Sequence, residues 1–306
     1  MTRRRSWSNP RPSSNKMRAH SPSNRQGFVT ISVDDGHPSD LRAADLLSKY
    51  GLSATFYVPA RNPEQPVLSV SDLRQLSQQF ELGGHTMNHV ALSSLSTERV
   101  WREITEGKDW LEQASGKPVR PFCYPMGKFG KRTVALVKKA GFLGARTCQL
   151  NRHDFPTDPF TWGVSTQAHN HSRMVQVRHA LLEGNYHGAL NFVFTYKTTT
   201  DWANHFRYAL DHVQASGGVA HLYLHSWEID QRGDWQKLES VLRAIPQVPG
   251  LKRVTNGELF AMWAAPRTGK SALATKNLFP SHPEAPEKGL PVQSSNLFQS
   301  DPEDGL

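Results

Sequence analysis

Asp34 and Asp35 stand side by side at the end of an apolar run, Phe28 to Val33, and Gly36 follows at once. Further along comes His85-Thr86-Met87-Asn88-His89. A divalent ion used for hydrolysis takes about three protein ligands from His and carboxylate and keeps one position open for water. One Asp and two His supply that set, which leaves the second carboxylate to act as a base. The same Asp-Asp-Gly also suits a plain turn, because Asp accepts local backbone bonds and Gly supplies positive φ. Both readings stand on these residues alone. The i, i+4 spacing of the His pair predicts two imidazoles on one face of a helical turn. Glu81-Leu82-Gly83-Gly84 just before it permits close approach of backbone or substrate.

These groups need a scaffold, and the pattern between residues 28 and 266 supplies one. Short β-rich runs alternate with amphipathic stretches, as in an α/β fold with a mainly parallel sheet. Strands are expected at 28–33, 54–58, 81–84, 119–124, 144–148, 160–166, 192–196, 219–225 and 252–254. Helices are expected at 40–50, 71–80, 97–114, 131–140, 172–183, 202–214, 235–245 and 257–263, with Gly51 and Gly141 closing two of them. Ligands of such sheets and barrels sit at the carboxyl ends of the strands. Asp34, Asp35, His85, His89 and His225 all fall at such ends, which places metal ligands, a base and an acid together.

The chain has 306 residues, two cysteines and a formal charge of +9. Cys123 and Cys148 lack CxxC spacing, so they read as buried or inert thiols rather than a zinc framework. Most of the charge lies in residues 1–27, where Arg3, Arg4, Arg5, Arg11, Lys16, Arg18 and Arg25 meet no acidic residue. This arm and the Pro, Ser, Glu and Lys-rich stretch 267–306 are expected to be disordered tails around a single domain, 28–266; Met17 is an alternative start. No secretory h-region and no apolar stretch of about 18 residues is present, so a cytoplasmic protein is expected. No nucleic-acid module accompanies the arm, although peripheral contact between it and anionic lipid stays open.

At this point the sequence resembles the NodB-like polysaccharide deacetylases of carbohydrate esterase family four. The resemblance rests on Ser32-Val33-Asp34-Asp35-Gly36, His85-Thr86-Met87-Asn88-His89 and Leu222-Tyr223-Leu224-His225, in that order, and covers roughly 28 to 260. It implies a distorted (β/α) barrel of seven or eight units. It further implies a divalent ion, commonly zinc, on Asp35, His85 and His89, and an N-acetylated sugar or glycan as substrate. Hydrolysis of the acetamide would use Asp34 as base and His225 as acid on the departing amine. Tyr124, the Met126 backbone N–H, Leu222 and Trp227 would line the substrate and oxyanion positions.

Two departures from the family pattern matter. In Arg120-Pro121-Phe122-Cys123-Tyr124-Pro125-Met126-Gly127, Cys123 stands where the family's arginine steadies the base, with Arg120 as a substitute three residues earlier. In Trp162-Gly163-Val164-Ser165, Ser165 stands where an Asp tunes the catalytic His. Glu228 or Asp230 could replace that Asp, or could be the acidic first turn of a helix. These changes motivate the alternative of a catalytically silent carbohydrate-binding relative. Phosphoester hydrolysis is the third reading, for which no Gly-rich phosphate cradle is present. His169 and His171 read as loop positions near surface or substrate, and His221 as a core histidine. Trp162 and Trp227 are candidates for stacking on a sugar ring.

Overall fold

Alternation along the first strand separates two environments. In β1 (Gly27–Asp34), Val29, Ile31 and Val33 join the hydrophobic core, while Thr30, Ser32 and Asp34 point the other way, to polar partners. The computed structural model describes residues 26–264, so nearly all of the expected arm and the whole of the expected tail lie outside the described residues. The chain continues through α1 (Asp40–Lys49), β2 (Thr55–Val58), α2 (Val70–Gln79), β3 (Glu81–Gly84), α3 (Thr97–Ser115), β4 (Pro121–Cys123), α4 (Lys131–Lys139) and β5 (Gly144–Arg146). Then come β6 (Thr166–Gln167), α5 (Arg173–Leu182), α6 (Tyr186–Phe194), α7 (Trp202–Ser216), β7 (Gly218–His225), α8 (Ser226–Arg232), α9 (Trp235–Ala244), β8 (Leu251–Arg253) and α10 (Asn256–Ala264). No helix among the described residues is long and apolar enough to cross a membrane.

The strands are parallel and follow the order β5-β4-β3-β2-β1-β7-β6, with β8 added beside the start of β1. This is the distorted barrel expected from the sequence. Between β5 and β6 the ladder gives way to an irregular crossing. The expected strand 160–166 is reduced there to a bridge of Trp162 with Arg146, and Ser165 N–H donates to the His221 carbonyl. Gly163 shows why: a Cβ there would meet the Arg152 side chain at 2.6 Å, so the crossing is pressed against the preceding loop.

Local chemistry explains the helix ends. Gly51, at φ 60°, lets Leu52 N–H bond the Leu47 carbonyl and so closes α1. Ser69 and Asp72 form a reciprocal capping box at the start of α2. The expected strand 192–196 is instead the end of α6 and the turn after it. Asn185 caps that helix by accepting the Gly188 N–H, and Phe192 turns into the core, so packing overrides the β preference of the Phe-Val-Phe run.

One buried histidine ties this region to acid stability. His205 stacks on Tyr196 at 3.9 Å, accepts from Thr166 and donates to Asn151, both at 2.8 Å. Burial first, and the charge of His171 second, push its pKa down to about 3. The unfolded chain takes up this proton near pH 6.5, which the folded chain refuses. The contribution is therefore complete above pH 6.5 and lost as pH falls towards 3, on the order of 5 kcal/mol. Urea midpoints at pH 7 and pH 4 should diverge less for His205→Gln than for the wild type; an equal divergence would remove His205 from the account.

Candidate metal and catalytic site

The two aspartates part company because the backbone turns between them. Asp34 ends β1 in register with His225 of β7, whereas Asp35 has φ 80° and Gly36 φ 64°. A Cβ on Gly36 would meet Val58 at 2.8 Å, so the turn needs glycine for conformation and for space. Asp34 thus points into the barrel while Asp35 faces the histidines.

His85 and His89 do come together, but not on a helix. Positive φ at Thr86 and His89 folds the segment into an irregular loop, which brings the two rings to 5.0 Å. Helix α3 holds that loop in place. The Glu103 carboxylate accepts the Asn88 N–H at 3.0 Å and the Asn88 side-chain amide at 2.9 Å, and the Glu103 carbonyl accepts the Met87 N–H. Gly107 gives the backbone room: a Cβ there would lie 2.6 Å from the Thr86 carbonyl carbon. Gly107→Ala gains about 1 kcal/mol of helix propensity but must displace backbone, a strain of about 1–3 kcal/mol. Lower melting temperature together with weaker divalent-ion binding is expected; an unchanged ion titration would show that the loop does not need this contact.

Asp35 Oδ1 lies 3.1 Å from His89 Nε2 and 3.6 Å from His85 Nε2. His85 Nδ1 sits 2.9 Å from the Cys123 carbonyl, to which it donates, so Nε2 keeps its lone pair for the site. Burial pulls the His85 pKa down and favours the neutral, ligating form. Burial also opposes the charge of Asp35. The close approach of the His85 and His89 rings and the field of His225 outweigh that and hold the carboxyl far below the usual range. On its outer side Asp35 Oδ2 accepts the Trp227 indole N–H at 3.0 Å. Three donor atoms of the right chemistry, with Asp35 Oδ1 lacking a firm hydrogen-bond partner, fit a divalent cation.

The arginine missing from β4 is present on the next strand. Arg146 of β5 pairs in register with Cys123, is 0% exposed, and its guanidinium bonds Asp34 Oδ2 directly. The Tyr57 and Tyr223 rings flank it at 5.2 and 4.7 Å. Arg120, exposed just before β4, does not take this place. Sequence reasoning passed over Arg146, although a charged residue inside an expected buried strand was the available signal. Cys123 donates only a long contact, 3.8 Å, to the same carboxylate.

His225 ends β7 with Nε2 3.9 Å from Asp35 Oδ2 and Nδ1 3.4 Å from Glu228 Oε2. Burial works against its charge, but the close approach of Glu228 and the charges of Asp35 and Asp34 raise its pKa to about 9. Glu228 sits one turn into α8 and also meets Arg232 and His169. Burial opposes the Glu228 charge as well, and His225 overcomes it to lower that pKa to about 2. Asp230 points away to Arg42 and Trp235, and Ser165 bonds the Arg152 and Val219 carbonyls. Glu228 is therefore the partner of His225.

Two expected lining residues are not brought to the site. Leu222 has the parity opposite to His225 on β7, so its side chain joins the core; Tyr223 shares the His225 face instead. Tyr124 is fully buried, stacks on Phe129 and donates to the Phe160 carbonyl. Met126 is at the rim, with φ 56°, in a turn whose own hydrogen bonds run from Gly127 and Lys128. Trp227 lies against His225, while Trp162 is buried against Phe260. His221 bonds Ser32 at 2.9 Å in the interior.

Residues 21–145 match the family model described as polysaccharide deacetylase. Over that part, less than half of its length, the chain is similar to the polysaccharide deacetylases. A peptidoglycan-N-acetylglucosamine deacetylase from Bacillus cereus is 28% identical over 145 residues, 47% of this chain and 65% of that enzyme. A 30.6 kDa protein of Geobacillus stearothermophilus is 26% identical over 129 residues, 40% of this chain and 45% of that protein. The chain thus covers less than two thirds of the length of these curated relatives. In fold, it is similar to the Xyl-CE4 domain of a multidomain xylanase from the hindgut metagenome of Trinervitermes trinervoides. The TM-score is 0.50 at 16% identity, with 78% of this chain and 92% of that domain covered.

Proposed function

We propose that this protein is a metal-dependent hydrolase that removes N-acetyl groups from an N-acetylated sugar or glycan. The observation that carries the reading is the division of labour at the end of β1. Asp35 faces His85 and His89, while Asp34 is held by Arg146 through one oxygen and keeps the other, Oδ1, without a partner. Asp35, His85 and His89 would hold the ion, which when bound acidifies water and polarises a carbonyl. The unpartnered Asp34 oxygen accepts the proton of the attacking water. His225, oriented through Nδ1 by Glu228, donates a proton from Nε2 to the departing sugar amine. The Met126 N–H at the rim supports the developing oxyanion. Trp227 fixes the outer oxygen of Asp35 and offers a ring edge to the cleft. Arg146 beside the proposed base supports the catalytic reading over that of a silent binding relative.

The test is acetate release from N-acetylhexosamine oligomers, such as chitooligosaccharides, by ion-loaded protein, chelated protein and His225→Asn. Release that survives chelation, or that His225→Asn leaves unchanged, would reject the assigned roles. Binding of glycan with no release by any form would favour the non-catalytic reading.

A further inference from the structure

Helices α5 and α6 are amphipathic in the wrong sense for a protein surface in water. Their inner faces carry Gln176, Ala180, Gly188 and Phe192, and the pair is fastened down by polar contacts. Asn185 Nδ2 donates to the Leu150 carbonyl and Asn191 Nδ2 to the Asn151 carbonyl, both at 2.8 Å. Their outer faces carry Met174, Leu181, Leu182, Tyr186, Leu190 and Phe194, with Met174 79%, Leu182 73% and Phe194 77% exposed. Among the described residues, eight of the eleven exposed large hydrophobic side chains lie on this pair. A patch of this kind marks an interaction surface.

The charges around it select the partner. Between residues 171 and 198 the sequence has Arg173, Arg178 and Lys197 against the single carboxylate of Glu183, in a chain of net charge +9. Apolar side chains are exposed along both short helices, and Tyr186 and Phe194 add aromatic rings. Exposed apolar groups in a segment with a surplus of Arg and Lys match the boundary between acyl chains and anionic headgroups. We propose that the α5–α6 hairpin is a docking surface for an anionic lipid bilayer, with its outer apolar side chains inserted at headgroup depth. The hairpin rests on the loop that leaves β5, at the carboxyl ends of the strands where the candidate site lies. Its consequence for substrate, which rests on the deacetylase reading, is a glycan presented at a membrane.

The test needs no catalysis. The full chain and Leu182→Gln/Phe194→Gln are sedimented with phosphatidylcholine vesicles and with vesicles that also contain phosphatidylglycerol. The wild type should favour the anionic vesicles, and the variant should lose roughly ten- to a hundredfold in partitioning at an unchanged melting temperature. Absence of wild-type binding overturns the proposal. So does equal binding of the variant, which would place the attraction elsewhere in the chain. If light scattering finds a wild-type dimer that the variant converts to monomer, a second copy covers the face and the lipid proposal falls.

Discussion

Asp34→Asn and Arg146→Met should each destabilise the fold by about 3–5 kcal/mol, the usual result of leaving one member of a buried ion pair without the other. Both partners are inside: Asp34 is 2% and Arg146 0% exposed. The guanidinium has little else to satisfy it. It donates to the Thr147 carbonyl at 3.2 Å and approaches Cys148 Sγ at 3.7 Å, and its Nε has no partner. In Asp34→Asn that charge stays buried against a neutral amide; in Arg146→Met the carboxylate is left with only the distant Cys123 thiol. The double variant Asp34→Asn/Arg146→Met removes both charges and should recover most of the loss. Acetate release should not follow stability. It should fall by about 10²- to 10⁴-fold in Asp34→Asn and stay low in the double variant, since the base is gone in both. Urea unfolding of the four proteins closes the cycle. Additive stability losses would mean that the pair is not coupled, and activity restored in the double variant would remove Asp34 from the chemistry.

The same pair shows where sequence reasoning reached and where it stopped. Asp34, Asp35, His85 and His225 could be picked out because each sits at or directly after a strand end, which follows from alternation and turn residues, and His89 by its spacing from His85. Arg146 could not be linked to Asp34 in this way, because the contact spans from β1 to β5 and depends on the register that sets Arg146 beside Cys123. Leu222 lies in the core rather than beside His225, for a reason that was available. Side chains alternate along a strand, so the residue two before His225, Tyr223, shares its face. The His85 loop defeated a periodicity argument for another reason: Glu103 and Gly107 of α3 impose a conformation that the spacing of the histidines does not encode. Glu228 could be named as a partner for His225 but not separated from Asp230 until α8 fixed which of them faces β7.

Divalent-ion binding should separate two overlapping sets of donors. Asp35, His85 and His89 form one compact group, and Asp34, His85 and Cys123 form another. His85 belongs to both, so His85→Ala removes ion binding under either assignment and decides nothing between them. The second group is chemically poor. A cysteine ligand must be a thiolate, and burial pushes the Cys123 thiol well above its ordinary pKa, with the charge of Arg146 only partly opposing it. One Asp34 oxygen is already taken by Arg146. In the first group Asp35 is ionised, His85 is neutral with its other nitrogen engaged, and all three donor atoms converge. An ion in thousandfold excess over its dissociation constant stabilises the folded state by about 4 kcal/mol, a rise of roughly 8–16 °C in melting temperature for a domain of this size. Cys123→Ser should keep that rise, while His89→Ala and Asp35→Asn should abolish it. The opposite pattern, a rise lost in Cys123→Ser and kept in His89→Ala, would move the ion onto Asp34. That outcome would leave Asp35 rather than Asp34 as the free carboxylate, so the division between Asp34 and Asp35 depends on this comparison.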